Sequence, residues 1–258
     1  MFKEINEREL GLSGVVAIGW SVYCQKIKAI AMISLLVHIP INIIHHILIR
    51  YVNSSEYVTN IINIFEYLLG MIAVMGIVVI VENTVENESI KIGWRAALRK
   101  AFSRWGSALG AMILYVLIIF WPLFLFVIPG FVIGEHLFKM SELMLLLVIP
   151  GFIWGVYYIL CYIFVIHVVT LHRIGGKTAL NYSKSLVKWR WWKILSITVV
   201  LTLINVGLDF VIGYSSSFLP AGIRIIMDFF TQIVDAFSIV AITVLFLNLD
   251  YISDKIGY

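Results

Sequence analysis

Six long apolar runs, separated by short polar or basic stretches, dominate the pattern of residues along this chain. Each run is continuous rather than alternating, which is typical of membrane-crossing helices and not of the strands of a membrane β-barrel. Pro40 should kink the first helix, because its ring removes one backbone hydrogen bond. The pattern predicts an all-α integral membrane protein with six transmembrane helices, at residues 27–49, 60–81, 108–132, 143–169, 194–212 and 223–249.

The composition excludes a soluble fold. Of the 258 residues, 61% are hydrophobic and 13% are charged, against roughly 45–50% and about 25% in soluble domains, and the mean hydropathy is +0.99. Six spans of about 20 residues each leave no room for a soluble catalytic domain. We expect no cleavable signal peptide, because residues 1–10 are charged and polar, and we interpret Cys24 and Cys161 as packing residues.

Three further stretches, at residues 12–28, 92–105 and 175–193, place apolar residues at helical spacing and basic residues on the opposite face. This pattern predicts three cytoplasmic interfacial amphipathic helices that bind the anionic headgroups of membrane lipids. The interleaved Trp and Phe residues favour lipid over nucleic acid as the partner. The predicted lipid-interface residues are Arg95, Arg99, Lys100, Arg104, Lys177, Lys184, Lys188 and Trp189.

The basic residues also predict the orientation of the chain. Sixteen of the nineteen Lys and Arg residues fall on one side of the predicted membrane, and Arg50, Lys139 and Arg224 fall on the other. Under the positive-inside rule, the chain is a multi-pass protein of a bacterial cytoplasmic membrane, with its N- and C-termini in the cytoplasm.

Two short similarities recur along the chain. Gly14, Gly93 and Gly176 open the three amphipathic stretches, which favours a single transmembrane domain built from three repeat units. The units are predicted at residues 11–91, 92–174 and 175–258. The sequences VIPGFVIG and VIPGFIWG also resemble each other, and their Pro-Gly pairs predict a break or bend in spans three and four near the outer surface.

Residues 146–195 resemble the membrane domain of some bacterial glycerophosphodiester phosphodiesterases and related free-standing membrane proteins. The opening segment, residues 19–30, is similar to that family's first interfacial helix. His172 and Arg173 stand where the family has an acidic residue, so no role of that residue is carried over. The soluble phosphodiesterase barrel has no counterpart in these 258 residues, so the resemblance implies a fold and not the activity. The matching residues are Ile149, Pro150, Gly151, Gly175, Gly176, Ala179, Leu180, Ser183 and Val187.

Polar and ionisable side chains within the apolar runs are the candidate chemistry, because their burial in a membrane is costly. Helical spacing puts several of them on shared faces, mostly in the outward half of the membrane, where we expect them to line one polar pocket. The candidates are His38, Asn42, His45, Glu66, Asp209, Asp228, Gln232 and Asp235.

Three roles are open for these residues. Histidine and carboxylate ligands suit a metal ion, but His45 and His46 point about 100° apart on a helix, and we expect neither a metal nor a cofactor. Asp235 or Glu66 is the candidate titrating carboxylate of proton- or cation-coupled transport. In the third role, the polar groups pair between helices and fix their packing without any ligand.

The chain carries no Gly-rich phosphate loop, no Gly-x-Ser-x-Gly elbow and no His-Glu-x-x-His motif. We therefore interpret it as a non-enzymatic membrane protein, an accessory or immunity-type factor that binds a lipid, peptide or protein. The alternative is a small transporter or the permease subunit of an ABC exporter. A membrane-embedded enzyme acting on lipid would require the His residues of span one and the carboxylates of span six to converge.

Overall fold

The chain is helical almost throughout residues 4–51, 56–86, 92–132, 141–217 and 221–256, which are the residues that a computed structural model describes. No strand occurs within these ranges. Their helices are α1 (Glu4–Glu7), α2 (Leu12–Tyr51), α3 (Glu56–Glu86), α4 (Trp94–Val132), α5 (Ser141–Cys161), α6 (Val165–His172), α7 (Gly176–Val187), α8 (Trp191–Ser217) and α9 (Ala221–Ile256).

Six helical segments are long and apolar enough to cross a membrane, which confirms the predicted all-α class and the number of spans. Within the described residues they cover Leu12–Ile44, Asn60–Glu86, Trp94–Trp121, Ile149–His172, Trp191–Ser215 and Phe230–Lys255. The fourth segment comprises α5, a short turn and α6.

The amphipathic stretches differ from their prediction as three separate helices. The first two continue without interruption into the following span as α2 and α4, and only the third forms a helix of its own, α7. Residues 20–39 contain neither Gly nor Pro, and the isolated Gly106 and Gly110 of α4 are tolerated inside a helix. Residues 173–175, by contrast, separate α6 from α7, which begins at Gly176.

Of the predicted break or bend at the Pro-Gly pairs, the break does not occur. α4 continues through Pro129 and Gly130, and α5 continues through Pro150 and Gly151. Helices in membranes tolerate proline because neighbouring groups satisfy the freed backbone positions. The fourth span is interrupted instead at Tyr162–Phe164, where the sequence has no Pro or Gly.

The first of two structural units comprises Met1–Trp105 and Ser196–Tyr258. In it α2 packs against α3 and α9, and α3 against α9. Small residues permit a close approach of helices in membranes, and a Cβ added to Gly19 of α2 would stand 3.2 Å from the Cα of Ala241 in α9. Fully buried side chains of this unit include Ile30, Met75, Val78, Val244 and Phe246.

The end of α9 holds the N-terminal segment. The Asn248 side chain is fully buried; its Oδ1 accepts a hydrogen bond from the N–H of Leu10 (2.9 Å), and its Nδ2 donates to the carbonyls of Ile5 (2.7 Å) and Arg8 (2.8 Å). These hydrogen bonds bring the N-terminal segment and the last turns of the final helix to the same end of the first unit.

The second unit, Gly106–Leu195, contains the interrupted span. In the turn between α5 and α6, the N–H of Val165 donates to the carbonyl of Tyr162, which frees the carbonyl of Cys161. The Ser183 hydroxyl of α7 donates to that carbonyl (2.8 Å) and accepts from the N–H of Phe164 (3.3 Å). One buried side chain therefore satisfies two backbone groups that the interruption leaves without helical partners.

Helix α7 packs with its apolar face against α5 and α6. It begins at Gly176, whose φ of +58° is a left-handed conformation that glycine adopts without steric cost. The protein covers this face, whereas Trp189, just beyond the helix, is 78% exposed. The buried residues of α7 are Ala179, Leu180, Ser183, Leu186 and Val187.

Candidate functional site

An apolar cleft of about 560 Å³ lies between α2, α3 and α4 in the first unit. This volume is within the range of about 300–1,000 Å³ that is usual for ligand pockets. Arg99 is the one charged residue among those that line it. The lining residues are Leu36, Val37, Pro40, Ile41, Ile44, Leu69, Ile72, Leu98, Arg99 and Phe102.

The start of α4 supplies the charge beside this cleft. Lys100 donates a hydrogen bond from Nζ to Oε2 of Glu82 in α3, at 3.1 Å, and Arg104 also interacts electrostatically with Glu82. A carboxylate of the neighbouring helix therefore partners Lys100 and Arg104, two of the predicted lipid-interface residues. Arg99 is exposed, and among the described residues no hydrogen bond or ion pair engages it.

The remaining predicted lipid-interface residues contact aromatic rings or solvent. Arg95 lies over the ring of Trp94 at 5.0 Å, and Lys188 over that of Trp189 at 5.4 Å. Lys177 is exposed. Lys184 lies 5.6 Å from the ring centre of Tyr158, and its charge therefore faces the protein as well as the surface.

Some polar residues of α8 and α9 contact each other. Ser238 donates a hydrogen bond to Oδ1 of Asn205 at 2.9 Å, and the carboxylates of Asp209 and Asp235 lie close enough to interact electrostatically. Oε1 of Gln232 is buried and has no hydrogen-bond partner among the described residues. Part of the predicted polar group thus forms an interhelical contact that requires no ligand.

The described candidates of the first two spans are His38, Asn42 and Glu66. His38 of α2 packs against α3, with its Cε1 3.6 Å from the position that a Cβ on Gly70 would occupy. Asn42 and Glu66 are half-buried. In the described part of the chain, no hydrogen bond or ion pair joins these three residues to the carboxylates of α8 and α9. Among the described candidates, the direct interaction is the one between Asp209 and Asp235.

Two further candidates are His45 and Asp228, whose side chains lie outside the described part of the structure. Among the described residues, no group of three or more His, Cys, Asp or Glu side chains is arranged to hold a metal ion.

The pattern of residues gave little indication of two features. The cleft includes Pro40, which the sequence marked only as a kink, and its other walls come from helices about 30 and 60 residues away. Ser183 is one of the residues that match the family resemblance. Its bonds to Cys161 and Phe164 could not be predicted, because they depend on a helix interruption that contains neither Pro nor Gly.

The chain was compared with protein-family models, with curated proteins and with solved structures. None of the three comparisons finds a match.

Proposed function

We propose that the protein is a non-enzymatic, multi-pass protein of a bacterial cytoplasmic membrane that acts by binding an amphipathic molecule. In this role it serves as an accessory or immunity-type factor. The observation that carries the proposal is the cleft between α2, α3 and α4, because it combines apolar walls with the charge of Arg99. A site of this kind suits a molecule with an apolar chain and a polar end.

Two further observations agree with binding rather than catalysis. His38 packs against Gly70 of α3, and no hydrogen bond or ion pair among the described residues joins it to Asp235, although the enzyme alternative requires these groups to converge. Asn205 and Ser238 satisfy one another across α8 and α9. The resemblance of residues 146–195 to the phosphodiesterase-associated membrane domain is consistent with this proposal, because that domain is separate from the catalytic barrel.

Native mass spectrometry of gently extracted protein tests the proposal. The wild-type protein should retain an amphipathic molecule, and Leu36→Trp should lose it, because the larger side chain fills the cleft. Leu203→Trp is the matched control: Leu203 lies on α8, is 65% exposed and does not line the cleft. Equal retention by the Leu36→Trp variant and the wild-type protein would overturn the proposal.

A small transporter is the second candidate function, and the proximity of Asp209 and Asp235 favours it. Two carboxylates that interact inside a membrane can share one proton. If the protein is a proton-coupled transporter, proteoliposomes that contain it should dissipate an imposed pH gradient. Asp235→Asn should abolish this proton flux. An unchanged flux in the variant, or no flux above that of empty liposomes, would remove this candidate.

A further inference from the structure

The charge of Arg99 stands at one end of the apolar cleft. A Cβ on Gly76 of α3 would lie 3.3 Å from Cδ1 of Ile33 in α2 and 3.4 Å from Cδ2 of Leu98 in α4. Leu98 and Ile33 are therefore at the same level of the bundle, and Arg99 follows Leu98 directly. The cleft then continues along α2 from Leu36, away from Ile33 and from this charge.

The rest of the cleft extends along α2 and is open at its sides. Eight residues separate Leu36 from Ile44, which corresponds to about 12 Å along a helix. The side chains of Leu36, Ile44 and Phe102 are exposed at the edges of the cleft. Because these residues belong to or adjoin membrane-spanning segments, a hydrocarbon chain can enter the cleft sideways from the bilayer.

The walls favour a hydrocarbon chain over a peptide. Apart from Arg99, every lining residue that the structure describes is apolar, so an extended peptide backbone would find few partners among them for its N–H and C=O groups. Arg99 has a guanidinium group that suits phosphate recognition. Lys100, by contrast, already donates to Glu82.

We propose that this cleft binds an anionic phospholipid, with its phosphate on Arg99 and one acyl chain along α2 towards Ile44. The inference rests on the proposed function and names the chemical class of its ligand. The acidic headgroup gives selectivity among lipids, and the apolar walls hold the chain whatever its headgroup.

The selectivity can be measured in vesicles that contain equal amounts of phosphatidylglycerol and phosphatidylcholine with identical acyl chains. We expect native mass spectrometry of the reconstituted protein to show phosphatidylglycerol enriched among the retained lipids. Arg99→Gln should lower this enrichment about fivefold, which corresponds to about 1 kcal/mol for one basic residue near anionic lipid. Arg99→Lys should retain most of it, because the positive charge remains.

Lys28→Gln is the control for loss of one positive charge, since Lys28 is exposed on α2 and does not line the cleft. An enrichment that falls equally in the Arg99→Gln and Lys28→Gln variants would overturn the anionic-lipid inference. Equal retention of both lipids by the wild-type protein would also overturn it, while Leu36→Trp still reports on the proposed function. Retention of a peptide in place of lipid would also overturn the anionic-lipid inference. In that case Leu36→Trp would still test the proposed function, through its effect on retention of the peptide.

Discussion

Gly19 sets the distance between α2 and α9. A Cβ at this position would stand 3.2 Å from the Cα and 3.3 Å from the Cβ of Ala241. Because the first of these atoms belongs to the backbone, no rotation of a side chain can relieve the contact. The two helices would have to separate by a few tenths of an ångström, and the packing of neighbouring residues would change with them.

We therefore expect Gly19→Ala to lower the free energy of unfolding by about 1–3 kcal/mol, the usual cost of overpacking. Titration of the detergent-solubilised protein with a denaturing detergent measures this change. Gly110→Ala is the matched control, since nothing lies within 4 Å of a Cβ at Gly110 of α4. The interpretation fails if both variants unfold at the same detergent fraction as the wild-type protein.

Individual side-chain contacts were harder to predict than the residues that make them. Asn205 and Asp209 are four positions apart, which places them on one face of their helix, and both interact with residues of α9. The pairing of Lys100 with Glu82 was missed, because it joins residues on two helices across the stretch 87–93. Sequence spacing also cannot decide which neighbour His38 faces, since this depends on the rotation of α2 about its axis.

At the scale of elements, α7 supports the interruption between α5 and α6. Ser183 bonds to the carbonyl of Cys161 and the N–H of Phe164, and it is fully buried. Removal of its hydroxyl takes away the hydrogen bond that each of these two buried backbone groups makes to Ser183. Each such loss costs about 1–3 kcal/mol.

Ser183→Ala should therefore lower the free energy of unfolding by at least about 1 kcal/mol and accelerate amide exchange at Phe164. Hydrogen exchange followed by mass spectrometry measures the second effect. Ser185→Ala is the control two residues away, because Ser185 is exposed and donates only to the carbonyl of Tyr182 in its own helix. If the Phe164 amide exchanges at the same rate in the Ser183→Ala and Ser185→Ala variants, Ser183 does not support the helix interruption.

The number of spans was predictable because continuous apolar runs depend only on the order of residues along the chain. The positions at which the helices begin and end were harder to predict. Amphipathic and apolar stretches join into one helix wherever nothing interrupts the backbone, as at Lys26–Lys28 of α2. The interruption at Tyr162–Phe164 depends on a partner, Ser183, about 20 residues away, which local patterns do not reveal.

For the whole molecule, the described contacts require both ends of the chain to meet. Asn248 bonds to three backbone groups between Ile5 and Leu10, and Lys255 donates to the carbonyl of Asn6. The chain therefore crosses the membrane an even number of times between these segments. The positive-inside rule predicts that the shared side is the cytoplasm.

We expect protease-cleavable tags at the two termini to be protected together in right-side-out membrane vesicles and cleaved together after permeabilisation. A cytoplasmic tag and a periplasmic tag of known proteins serve as controls. Cleavage of one tag alone in intact vesicles would contradict the even number of crossings. Cleavage of both would contradict the predicted orientation and leave the shared side intact.

The position of Asn248 also has a consequence for the order of events during synthesis. Its partner Leu10 precedes it by 238 residues, so the N-terminal segment leaves the ribosome long before the side chain that binds it exists. Docking of α1 must therefore wait until the last helix has been translated and inserted. Residues 5–10 therefore reach their native contacts only after the helix that carries Asn248 has been made.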